Sequence, residues 1–285
     1  MRHSVAILLA FFLFSAPVIS LGAGDTLSKI RDSKSITIAY SPDSLPMSYA
    51  DQTGSPAGYS VELCRRVVAH LKERLGLDEL KTDWIKGNTP ERLEAVASGK
   101  ADLECGTTTV TLDRQEKVDF SNFVFIETGG ILVRSDAGIE RLTHLEGRKI
   151  AVVADTTTDR RLRKALAVNA VSAQIVPINE ASEGMRLMEK GEVDAFAGDR
   201  LVLVGQAGAS ELRDDLGMIT EEFSLDPYAF ALPRGDADFR LEVNRALAAL
   251  YRSDDIGSIF IKSFGSNAVP GDLLKVVYLL YGFAD

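Results

Sequence analysis

Two hydrophobic periods alternate along this chain. Ser35–Tyr40 (SITIAY) alternates polar and apolar residues, the period-two pattern of a strand with one buried face. Residues 61–75 instead place apolar side chains at helical spacing and stop at Gly76. The alternation continues with a strand over 80–85, a helix over 92–97 halted by Gly99, and a short strand over 101–105. A second series follows: a strand at Lys149–Val153 (KIAVV), a helix over 159–168, a strand over 174–177, a helix over 183–190 ended by Gly191, and a strand over 193–197. A long helix over 240–252 comes last. This βαβα order predicts an α/β protein with parallel sheets flanked by helices. The pattern occurs twice, over about 25–128 and about 131–225. An extended apolar piece over 123–133, broken by Gly129 and Gly130, leads out of the first unit. A second, over 228–233, leads back. The expectation is two lobes, one made of 24–128 with 229–285 and the other of 129–228, joined by two hinge crossovers. A cleft between two such lobes is a preferred place for a small ligand, and hinge closure around a ligand is a known motion.

The first residues change the picture by setting a compartment. Arg2 and His3 precede an apolar run over 5–14, followed by Ser15, Ala16 and Pro17, with small residues at Ser20, Gly22, Ala23 and Gly24. That order reads as a secretory signal peptide over 1–23, with cleavage after Ala23 favoured over cleavage after Ser20, and an uncleaved anchor as the alternative. The apolar run is short for a transmembrane helix. A soluble periplasmic protein is the expected product, and removal of the leader leaves roughly 260 residues, room for two domains. The chain is 46% hydrophobic and 26% charged with a net charge of −9, and no basic cluster points to nucleic acid or an anionic membrane surface.

An oxidising compartment gives meaning to the two cysteines, Cys64 and Cys105. An even pair there reads as one disulfide closing a loop of about 40 residues, worth on the order of 4 kcal/mol, against the alternative of two buried thiols. His70 and His144 have no metal-ligand spacing with other His, Cys or carboxylate residues, so no metal and no cofactor are expected.

The candidate chemistry lies in DLECGTTTVTLDRQEKVDFS, from Asp102 to Ser121. Thr107, Thr108, Thr109 and Thr111 stand just ahead of Arg114. Threonine hydroxyls can bond an ammonium or a carboxylate, and an arginine fork holds a carboxylate through two parallel bonds. The segment suits the zwitterionic end of an amino acid. It equally suits a strand, a threonine-rich turn and a hydroxyl-capped helix start.

GYSVELC from Gly58, DLECGTTT from Asp102, DRQEKVDFS from Asp113 and GEVDAFAGDR from Gly191 together resemble the family 3 bacterial solute-binding proteins, the periplasmic receptors of polar amino acid ABC transporters. The likeness spans nearly all of the chain after the leader. It implies the two-lobed periplasmic binding protein fold with two crossovers, type II-like. The pairing of GYSVELC with DLECG is nearest to glutamate/aspartate-binding proteins and supports the disulfide. The resemblance assigns the ligand α-carboxylate to Arg114 with Thr107 and Thr109, and a second hydroxyl donor to Thr157 or Thr158 at a helix start. It assigns the α-ammonium to Asp199. A helix N-terminus favours an anion by its dipole and free N–H groups, and plain capping is the alternative for both threonines. Asp194 reads as structural.

The resemblance also places Arg92 at a ligand side-chain carboxylate, with Thr89 beside it; the alternative for Arg92 is a solvated helix face. Ser41 and Ala181 stand where glutamate/aspartate binders carry an arginine and a histidine. Ser44 and Thr89 stand where binders of basic amino acids carry aromatic residues, and Thr156 replaces a usual glycine. The reading is therefore an amino acid with an acidic or amide side chain, captured by a monomer and delivered to the membrane permease of an ABC importer. Two other classes share the scaffold. One is a dehydratase-like enzyme, for which Glu104, Asp43 and Asp199 are the nameable acid–base groups; the other is a ligand sensor. The apolar tail over 270–285 reads as a helix packed on the first lobe.

Overall fold

The computed structural model describes residues 25–283; the leader expected over 1–23 lies outside the described residues. In the first half, Ser35–Tyr40 runs parallel to Lys81–Lys86 on one side and to Leu103–Glu104 on the other. In the second, Lys149–Val153 lies parallel between Gln174–Ile178 and Ala195–Asp199. Each parallel set alternates with helices, as the two hydrophobic periods require.

The first connection between the halves is a strand of 17 residues, Val118–Arg134, and the chain returns along Leu225–Pro233. Val118–Arg134 pairs antiparallel with Leu225–Pro233 from Val118 to Thr128, then antiparallel with Ala195–Asp199 from Gly129 to Val133. The extended piece is thus continuous through Gly129 and Gly130, because each glycine finds a ladder partner in Asp199 and Gly198. The result is one nine-stranded sheet, parallel within each half and antiparallel at the join.

Local chemistry sets the helix starts. The helix expected from 92 begins earlier, at Thr89–Ala97, because Asn88 and Glu91 form a reciprocal capping box. The helix Thr157–Val168 is capped by Thr156, whose hydroxyl accepts the Asp159 N–H at 3.1 Å. Helix Arg200–Ala209 had no periodic signal: its apolar residues run consecutively from Leu201 to Val204, a pattern that does not distinguish helix from buried strand.

The first core gathers Tyr59, Leu63, Val67, Phe230, Phe239 and Leu247, all fully buried. The second half carries two clusters, one with Ile131, Ile150 and Leu162, the other with Ala151, Met185 and Phe196. The Cys64–Cys105 disulfide ties helix Tyr59–Arg74 to the chain after Leu103–Glu104, with the Cα atoms 6.3 Å apart. The tail forms helix Asp272–Tyr281, which buries Leu274 and Val277 in the first core and joins Tyr278 to Tyr59 through their hydroxyls. No described helix is long and apolar enough to cross a membrane.

Candidate functional site

A cavity opens between the halves, with about 80 Å³ accessible to the centres of water molecules, and a cleft of this kind is a preferred place for a small ligand. The first half lines it with Ser41, Asp43, Ser44, Asn88, Thr89, Arg92, Thr107 and Arg114; the second lines it with Thr156, Thr157, Thr158, Asn179, Glu180 and Asp199. Seven of the eight ligand-binding residues expected from sequence therefore meet in one place. The eighth, Thr109, is buried behind the wall, where its hydroxyl meets that of Thr157 at 3.1 Å and donates to Asp226 Oδ1 at 3.1 Å.

Arg114 sits in the short helix Leu112–Gln115, capped by Thr111, so both readings of the threonine-rich segment apply at once. Its Nη1 donates to the Thr109 carbonyl at 2.6 Å, which fixes the guanidinium and leaves other N–H groups for the cavity. Burial pushes the guanidinium down to about 10, the neighbouring Arg160 adds to this, and Glu104 opposes it. An arginine so desolvated gains from an anion beside it.

Asp199 ends the strand Ala195–Asp199 and precedes helix Arg200–Ala209. Its carboxylate accepts the Thr158 hydroxyl at 2.9 Å and the Tyr228 hydroxyl. Burial raises it to about 6; the Tyr228 bond works the other way, and Asp226 adds to the rise. A cation next to it would relieve that cost. Because Thr156 takes the capping role, Thr157 and Thr158 keep their hydroxyls for other partners.

Arg92 lines the cavity, as its ligand-contact reading requires, but does not fit the alternative. It is 2% exposed, so it is no solvated helix face, and it forms an ion pair with the fully buried Glu104 at 2.7 Å. Asp43 spans the cleft: its Oδ2 accepts the Ser182 N–H at 3.3 Å and its carbonyl accepts Gln206 Nε2 at 2.8 Å. Asp194 is structural, holding Arg148 and the Lys149 N–H. His70 bonds Glu242. Among the described residues no cluster of His, Cys, Asp and Glu is arranged to hold a metal ion.

Sequence reasoning missed a buried acidic cluster behind Asp199 and Thr109. Asp226 is fully buried and accepts from Thr109, Arg161 and Ser224. Glu127 and Tyr228 lie with it on the two joining strands. The available signal was a carboxylate inside an apolar strand, as in LDPYAFALP, since such a group must find donors when buried.

The chain is 32% identical over 262 residues to an L-glutamate/L-aspartate-binding protein of Pseudomonas aeruginosa, covering 92% of this chain and 87% of that one. Among solved structures it is similar to an ABC uptake transporter substrate binding protein from Streptococcus pneumoniae with bound histidine, at TM-score 0.76, 22% identity, and 85% and 97% coverage. It is also similar to an ancestral amino acid-binding protein described as a precursor of cyclohexadienyl dehydratase, at TM-score 0.73, 23% identity, and 84% and 99% coverage. These neighbours share the two-lobed α/β fold. Residues 36–266 match the bacterial extracellular solute-binding proteins, family 3, and the chain belongs to that family.

Proposed function

We propose that this protein is a periplasmic amino acid receptor that delivers its ligand to the permease of an ABC importer. The observation that carries the reading is the pairing of Arg114, from one half, with Asp199, from the other, across a single cavity. A guanidinium and a carboxylate so placed match the carboxylate and ammonium of one α-amino acid. Thr107 and a Thr157 or Thr158 hydroxyl complete the carboxylate side, and Thr109 acts from behind through Thr157. Thr89 and Arg92 stand at the side-chain end, and an acidic or amide side chain suits them. The lobes are 24–128 with 229–285, and 129–228, and the ligand stabilises their closed arrangement by binding it more tightly than the open one. The receptor works as a monomer. An enzymatic role has less support. Glu104 is committed to Arg92 and Asp43 to the Ser182 N–H, and Asp199 already accepts two hydroxyls.

Thermal-shift screening against the amino acids, with native mass spectrometry of protein taken from the periplasm, tests this. One class of amino acid raises the melting temperature and adds its mass once. Arg114→Ala and Asp199→Ala fold with wild-type circular dichroism and lose about 2–5 kcal/mol of binding, because each leaves a buried charge unpaired. That is about 30-fold to several thousandfold in affinity. Near-normal binding by both variants sinks the clamp.

A further inference from the structure

The two strands that cross between the halves carry carboxylates in register. Glu127 on Val118–Arg134 stands directly opposite Asp226 on Leu225–Pro233, and both are buried. Opposite residues of an antiparallel pair share a face, and so do residues two apart along a strand. Tyr228 is two residues from Asp226. Gly129 is two from Glu127 and stands opposite Asp199. Glu127, Asp226, Tyr228 and Asp199 therefore gather on one face of the sheet where the halves meet, and the Tyr228 hydroxyl donates to Asp199. Like charges placed directly opposite repel, the more so away from water.

The three carboxylates are not equally compensated. Asp226 pairs with Arg161 and accepts the Thr109 and Ser224 hydroxyls. Asp199 lines the cavity, accepts the Thr158 and Tyr228 hydroxyls, and has Arg114 to favour its charge. Tyr228 stays a neutral donor, because burial pushes its phenol well above the usual range. Arg200, next to Asp199, lays its side-chain stem over Gly130, on the opposite face. Among the described residues Glu127 forms no ion pair. It accepts two backbone N–H groups, Thr128 at 2.9 Å and Leu201 at 3.4 Å. Leu201 lies in the first turn of helix Arg200–Ala209 in the other half, so the Glu127 side chain spans the join. Glu127 is the carboxylate left for a proton to neutralise. Burial, and after it the Asp199 charge, pushes it up to about 8.

A ligand ammonium beside Asp199 alters this balance. It offsets the negative charge that opposes ionisation of Glu127. The ionised carboxylate then accepts more strongly from the Leu201 N–H, at a helix N-terminus whose dipole favours an anion. Resting on the receptor reading above, we propose that Glu127 is a positioning residue at the hinge that carries a proton in the ligand-free protein and releases it when the amino acid ammonium meets Asp199. Capture is thereby linked to proton release. The free protein holds more protons than the liganded one, so affinity rises with pH.

Calorimetry at about pH 7.5, in two buffers of different ionisation enthalpy, counts the protons. It uses whichever of L-glutamate, L-aspartate, L-glutamine and L-asparagine binds most tightly. Wild-type protein releases roughly half a proton per ligand, so its affinity rises about threefold per pH unit between about pH 7 and pH 8. Glu127→Gln fixes the neutral form. It binds with an affinity that is flat over that range, releases no proton there, and keeps the release near pH 6 that belongs to Asp199. Binding by wild type without proton release overturns the inference and leaves the receptor reading intact. Equal release by wild type and a folded Glu127→Gln protein does the same. Should that variant not fold, the wild-type proton count alone decides. Absence of binding by all four overturns the acidic-or-amide receptor reading and this inference with it.

Discussion

At the scale of single residues, the site concentrates carboxylates that burial holds away from water. Glu127 is pushed up to about 8 by burial first and then by Asp199, against the N–H groups of Thr128 and Leu201, which favour its charged form. Its folded value lies above the ordinary 4.5. The stability it contributes is therefore complete below about pH 4.5 and lost as pH rises through about 8. Asp199, raised from 3.8 to about 6, acts in the same sense over a lower window. The unliganded protein should melt at steadily lower temperature between pH 7 and pH 8, with Glu127 the main source, since Asp199 is largely ionised by pH 7. Melting curves across that range for wild type and Glu127→Gln check this: the variant should be flat where the wild type slopes. A slope of equal size in both would show that Glu127 is not its source. Ligand affinity should run the other way around pH 6, because an ammonium needs Asp199 ionised.

Elements bring these residues together through close approaches that few side chains permit. Helix Arg200–Ala209 crosses the cleft at Gly205, where a Cβ would overlap the carbonyl of Leu45 in the first half. Gln206, the next residue, donates to the Asp43 carbonyl, and the Ser182 N–H at the start of helix Ala181–Glu189 meets the Asp43 carboxylate. Two helices of one half thus rest on one loop of the other. Gly205→Ala separates helix stability from contact between the halves. Alanine in a helix interior is favoured over glycine by about 0.5–1 kcal/mol, so the unliganded variant should melt no lower than wild type. Its amino acid affinity should nevertheless fall at least tenfold, and small-angle scattering should show less compaction on adding ligand. Wild-type affinity in Gly205→Ala would falsify the role given to this contact.

Across the whole molecule, the first half holds the disulfide and the C-terminal helix, while the second half is held by its sheet and helices alone. The Cys64–Cys105 bridge closes a separation of 41 residues, and a loop of that size is worth on the order of 4 kcal/mol in the chain-entropy account. Urea unfolding with and without reductant should show a loss of that order. An unchanged midpoint in fully reduced protein would mean that the bridge adds nothing. The C-terminal helix closes the same core through Leu274, Val277 and the Tyr59–Tyr278 contact, as its apolar sequence suggested. Its outer face leaves Leu273, Leu279 and Leu280 exposed.

By itself the sequence determined what short-range physics decides. Ser35–Tyr40 and Lys149–Val153 were legible to the residue, the first from its alternation and the second as a short apolar run, signals that need no partner to be seen. The even cysteine pair was legible from compartment and count, and the meeting of Arg114, Thr107 and Asp199 at one cavity from motif likeness. Tertiary structure alone decided the rest. The pairing of Arg92 with Glu104 depends on helix Thr89–Ala97 docking over the strand Leu103–Glu104, and neither residue type announces that the other will neutralise it. Thr156 and not Thr157 became the cap because the backbone turned one residue earlier, which freed the next two hydroxyls. Asp226 found Thr109, Arg161 and Ser224 from three separate parts of the chain. A buried carboxylate must recruit donors from whatever elements the fold places around it, and that placement is set by packing and not by spacing along the chain.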